Sequence, residues 1–163
     1  MSERSSDQFL RVGALVGTIG WTVTQVAAWL GAGALPVLVL WVGLLGAMTV
    51  VGLARTPPTV RFSTPLLVWG ATNGTATVWT VAAVLGAPVP ATALAGWLPW
   101  LGSFTVAYAA TAWFVPAARL VYGAASLSAA GLAVALLALP ALAPVTYLLV
   151  GAVHVVPLVV ATR

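Results

Sequence analysis

Arg55-Thr56-Pro57-Pro58-Thr59-Val60-Arg61 is the most polar connection in this chain, and its reading decides the fold. Two consecutive prolines break a helix, and the arginines on either side mark a boundary with water. On its N-terminal side, residues 12–54 run for 43 positions without Asp, Glu, Lys, Arg or His. On its C-terminal side, residues 62–118 run for 57 more, as far as Arg119. Residues 120–162 add another 43, in which His154 is the only residue of those five types. One membrane crossing takes about 20 apolar residues, so each stretch holds two crossings and a turn.

Composition agrees with this reading. Charged residues make up 5% of the 163-residue chain and mean hydropathy is +1.11, whereas a soluble domain carries about 25% charged residues. Such a chain cannot cover a water-facing surface. The expected fold is an all-α integral membrane protein of the cell membrane, multi-pass, with six transmembrane helices in three hairpins. Spans are expected at about 12–30, 36–54, 66–85, 97–116, 121–139 and 145–160, forming one bundle over 12–163 behind a short polar tail, 1–11. The first apolar run, at about 19 residues, exceeds the 7–15 of a signal-peptide core, so it is read as a retained span. The fourth span starts near either Ala91 or Pro99.

Topology follows from the arginines. With the N-terminus cytoplasmic, Arg4, Arg11, Arg55, Arg61, Arg119 and Arg163 all fall inside, and so does the C-terminus. The opposite turns near 31–35, 86–91 and 140–144 carry no charge. This is the positive-inside pattern. The net charge of +4 sits on isolated arginines rather than on a patch, which points to the lipid bilayer as partner and away from nucleic acid. A weak parallel repeat is visible: Trp21-Thr22-Val23 leads to Leu30-Gly31-Ala32, and Trp79-Thr80-Val81 leads to Leu85-Gly86-Ala87.

Chemistry is bounded by absences. No Asp or Glu follows Asp7 and there is no cysteine. Carboxylate proton relays, paired-carboxylate catalysis, disulfides and thiolate metal sites are therefore out of reach. No phosphate-binding loop, G-x-S-x-G or H-E-x-x-H occurs. The chain reads as non-catalytic, with no cofactor assigned and no metal site.

The candidate polar intramembrane site comprises His154, Asn73, Gln25 and Tyr108. An isolated intramembrane histidine is a functional-site candidate, or else a neutral ring bonded to a neighbouring helix. Counting helical rise from the inner ends places Met48, Asn73 and His154 in one layer, with His154–Asn73 the favoured pair. His154 and Met48 are also a conceivable haem-ligand pair, although methionine more commonly fills space. Gly13 with Gly17, and Gly70 with Gly74, have the G-x-x-x-G spacing that brings membrane helices close, within the bundle or between copies. Gly74 beside Asn73 is a candidate break in the third span. Of eight tryptophans, Trp29, Trp97 and Trp100 are expected at the outer interface, and the deeper Trp21 and Trp79 need acceptors for their indole N–H groups.

Three functions fit. The first is a scaffold or accessory subunit packed against a larger membrane-protein partner or as a homo-oligomer. The second is a small transporter or channel for a neutral or lipophilic solute. The third is a binder of an apolar cofactor, such as a polyene, quinone or haem.

Overall fold

In a computed structural model, residues 3–55, 58–87 and 96–162 are described, and among them the chain is all-helical. Six long helices and one short one follow in order: α1 Glu3–Trp29, α2 Ala34–Arg55, α3 Pro58–Arg61, α4 Thr64–Val84, α5 Leu98–Phe114, α6 Arg119–Ala138 and α7 Thr146–Val160. Four segments are long and apolar enough to cross a membrane: Leu10–Trp29, Ala34–Gly52, Pro116–Ala138 and Pro140–Val160. Helix α4 is diluted by Asn73 and its threonines, and α5 has 17 residues.

Consecutive helices are antiparallel. Trp41 of α2 bonds Thr24 of α1, and Met48 lies against Gly13. Trp69 of α4 meets Thr111 of α5, while Thr80 meets Trp100. Tyr108 of α5 stacks on Tyr122 of α6, and the Ser126 hydroxyl donates to the Thr105 carbonyl. Helix α7 returns antiparallel along α1, so that Gly13 sits near Leu158 and Gln25 near Tyr147. The start of α1 and the end of α7 therefore share one end of the bundle. The most extensive packing joins α5 with α6, α1 with α7, and α4 with α5; α2 attaches mainly to α1.

The turns have local causes. Gly31 (φ +64°) and Gly86 (φ +84°) follow the ends of α1 and α4 in the left-handed region that glycine adopts without strain. At each, the next residue closes the same pattern: Ala32 N–H to the Ala27 carbonyl, and Ala87 N–H to the Ala82 carbonyl. This is a Schellman ending. The repeated Leu-Gly-Ala thus marks one helix-stop used twice. Pro116 opens a 3-10 turn, 116–118, that leads into α6, and Pro140 opens another, 140–145, ahead of α7.

Three expectations need correction. Helix α1 reaches back to Glu3, so residues 3–11 continue the first helix rather than forming a separate tail. Helix α4 runs unbroken through Asn73 and Gly74. Trp97 and Trp100 are buried in the core rather than facing out as a belt; α5 turns Trp100 onto Trp41, Phe104 and Thr80. Helix α5 begins at Leu98, close to the Pro99 alternative; the Ala91 alternative lies outside the described residues.

Glycines divide sharply between the inside and the outside. A Cβ on Gly20 would lie 2.5 Å from the Trp41 ring, and one on Gly151 would lie 2.7 Å from Trp21 Cβ. Gly70 and Gly74 meet nothing within 4 Å. Replacing Gly151 by Ala is expected to destabilise by about 1–3 kcal/mol through overpacking. Gly70→Ala and Gly74→Ala should be neutral or stabilising by up to about 1 kcal/mol through helix propensity. Denaturant unfolding in micelles checks the contrast, and equal losses at all three positions would contradict the assigned faces.

Candidate functional site

The deep polar groups gather around α7. His154 is held by α1: the Trp21 indole N–H donates to His154 Nδ1 at 3.1 Å. An indole nitrogen only donates, so Nδ1 is an acceptor and the neutral ring carries its proton on Nε2. Gly17, one turn from Trp21, makes room, since a Cβ there would stand 3.0 Å from Nδ1. Phe104 stacks on the imidazole with ring centroids 4.5 Å apart, and Trp69 lies 6.4 Å away on a similar plane.

Tyr108 is fully buried, and its hydroxyl donates to the His154 backbone carbonyl at 2.6 Å. A proline lies three residues on. Pro157 sits inside α7 and has no N–H for the carbonyl one turn back. The carbonyl left without that N–H is that of Val153, and Tyr108 donates to the neighbouring carbonyl, His154, in the same turn.

Gln25 is 1% exposed and staples α1 to the beginning of α7. Its Nε2 donates to the Pro144 carbonyl at 3.0 Å, and its Oε1 accepts the N–H groups of Tyr147 at 3.0 Å and Leu148 at 3.3 Å. Those amides belong to the first turn of α7, which has no intrahelical partners for them. No side chain caps α7 from its own N-cap. Gln25 does this from another helix. The Trp29 indole N–H adds a second donor to the Pro144 carbonyl at 2.6 Å.

Asn73 is elsewhere. Its Oδ1 accepts the Ser103 hydroxyl of α5 at 2.8 Å. The favoured His154–Asn73 pair is not among the bonds formed: Ser103 donates to Asn73 Oδ1 and Trp21 to His154 Nδ1. Helix α4 begins at Thr64, two residues earlier than expected, which moves Asn73 about 3 Å further from the inner end. Met48 rests its methyl 3.3 Å from the Cβ position of Gly13, beside Leu158, while His154 occupies the next turn at Gly17. The two face separate glycines of α1, so Met48 fills space and the haem-ligand pairing is not assembled. Gly13 and Gly17 pack within the bundle; Gly70 and Gly74 face out from it.

A recurring device escaped the sequence reading. The Trp41, Trp69 and Trp100 indole N–H groups donate to the hydroxyls of Thr24, Thr111 and Thr80, at 2.9, 3.0 and 3.2 Å. Each hydroxyl in turn donates to a carbonyl one turn back in its own helix, that of Gly20, Ala107 or Ala76. The threonine is a two-ended joint, satisfied on its own helix and accepting from the neighbour. Abundant Trp and Thr was the only signal available for it. Comparison with protein-family models, with curated proteins and with solved structures finds no match to this chain.

Two outcomes are expected. Gln25→Ala orphans two amides and removes one donor to a carbonyl, and should destabilise by about 2–4 kcal/mol; a loss below 1 kcal/mol would contradict the staple. In a double-mutant cycle, Asn73→Ala with Ser103→Ala should couple by about 0.6 kcal/mol, the average for such membrane hydrogen bonds. Asn73→Ala with His154→Ala should show no coupling beyond error. Unfolding by SDS titration in mixed micelles reads both.

Proposed function

We propose that this chain is a six-span, non-catalytic membrane protein with both ends cytoplasmic, acting as an accessory or scaffold subunit packed against another membrane protein. The observation that carries this reading is the internal use of the polar groups a transported solute would need. Gln25, His154 Nδ1, the Tyr108 hydroxyl and Asn73 Oδ1 are each engaged by a neighbouring helix. Between them the space is filled by Trp21, Trp100 and Phe104 in mutual ring contact.

The outside supports the same reading. No residue of α2 from 34 to 52 is buried, and this is the most apolar of the four long segments, with mean hydropathy 2.3. Lipid-facing helices tolerate such a surface, and it also suits a protein partner. On α4 the open Gly70 and Gly74 leave backbone that a partner helix can approach. Arg4 and Arg11 near the start of α1, Arg61 before α4 and Arg119 at the start of α6 lie toward one end of the antiparallel bundle, which supports assigning that end to the cytoplasm.

Two measurements test this. The chain has no cysteine, so single-cysteine variants at Arg55, Arg119 and Gly33 report topology cleanly. The first two should label only from the cytoplasmic side and Gly33 only from the opposite side; labelling of Arg119→Cys from outside ends the six-span reading. Purification in mild detergent should recover a stoichiometric membrane-protein partner. Saturable flux of a neutral solute through proteoliposomes of the chain alone, abolished by His154→Ala, would replace the accessory role with transport.

A further inference from the structure

The α5–α6 corner holds a cation that forms no ion pair among the described side chains. Helix α5 ends at Phe114, Pro116 turns the chain, and Arg119 begins α6. The Arg119 Nε donates back to the Ala112 carbonyl at 3.4 Å, which holds the guanidinium against the end of α5. Its Nη groups make no further hydrogen bond among the described residues. Glu3 and Asp7, at the start of α1, are the only acidic side chains in the sequence, and both lie outside the described side chains. Neither the first turn of α6 nor the last turn of α5 carries an acid.

Beside this cation stands bare apolar and aromatic surface. Trp113, the residue after Ala112, is 76% exposed, Phe114 is half exposed, and Leu120, the residue after Arg119, is 88% exposed. Indole rings partition to the headgroup level of a bilayer, and a guanidinium binds phosphate through paired N–H groups. We infer that this corner binds one anionic phospholipid, with the headgroup phosphodiester on the Arg119 Nη groups and an acyl chain along Leu120 and Phe114, a site that takes the six-span reading as given. A zwitterionic lipid presents the same phosphate together with its own ammonium, which competes for it. A guanidinium with its Nη groups open to the phosphate therefore favours headgroups of net negative charge.

Native mass spectrometry of the purified chain in neutral detergent counts the lipid during titration with phosphatidylglycerol, phosphatidylcholine or inorganic phosphate. One phosphatidylglycerol should bind roughly tenfold or more tighter than phosphatidylcholine, the scale of a charge-assisted hydrogen bond. Millimolar inorganic phosphate should leave it in place. Arg119→Gln should weaken it about tenfold and Arg119→Lys less, while Arg11→Gln, which removes the same charge from α1, should leave it unchanged. Unaltered binding in Arg119→Gln, an equal loss in Arg11→Gln, or full displacement by phosphate would each overturn the lipid site. If Arg119→Gln fails to fold by circular dichroism, Arg119→Lys and Trp113→Ala carry the test, and unchanged affinity in both overturns it. Cysteine labelling reads topology separately, so a failed lipid site and a failed six-span layout give different results.

Discussion

A donor in hydrocarbon has no water to fall back on, and the indole-to-threonine joint is this protein's answer. Trp41, Trp69 and Trp100 each hand an N–H to a threonine of the helix beside them. That threonine is already tied to its own backbone. The internal tie orients the hydroxyl, so its lone pairs face the neighbouring helix at little further entropic cost, and chained hydrogen bonds polarise one another. Two of the three hairpins are locked this way, α1 with α2 and α4 with α5. The α5–α6 contact, between hairpins, uses other means: Tyr108 stacks on Tyr122, and Ser126 reaches a backbone carbonyl of α5.

Helix α7 poses the opposite problem. It begins behind a proline-rich turn, which leaves its first amides to be met from outside the helix, and it carries Pro157 within it. Gln25 serves the beginning and Tyr108 the later turn. His154 lies between these supports and is held from α1 by Trp21, over the gap that Gly17 leaves. Two small residues make the α1–α7 seam tight from either side. Gly17 admits the imidazole, and Gly151 admits Trp21. Side-chain bulk from one helix fills the missing Cβ of the other, which is how membrane helices gain contact without a hydrophobic driving force.

These arrangements give the molecule a satisfied interior and a surface left smooth. Polar side chains that looked like a pathway along the sequence are joints between helices. The outward surfaces are of another kind: α2 with no buried residue from 34 to 52, the open glycines of α4, and the exposed Trp113 and Leu120 on either side of the α5–α6 turn. Inward chemistry holds the fold, and outward chemistry is where partners and lipids can act. An accessory subunit needs this division, since its own stability does not draw on the contacts it offers.

The sequence by itself determined the helical class, the lengths of the apolar stretches and the places where helices stop. Charge-free runs, prolines and Leu-Gly-Ala endings act locally, and hydrocarbon admits few backbone conformations. It also named His154, Gln25 and Tyr108 as the deep polar residues, because rarity in an apolar chain is visible without coordinates. Partner choice was out of reach. Counting rise along α4 did not reveal that Asn73 faces Ser103, and rotation about a helix axis decides whether a G-x-x-x-G pair faces a neighbour, as Gly13 and Gly17 do, or open space, as Gly70 and Gly74 do. Depth follows from counting along one chain, whereas azimuth depends on the fit of all the helices together. Only tertiary packing settles it.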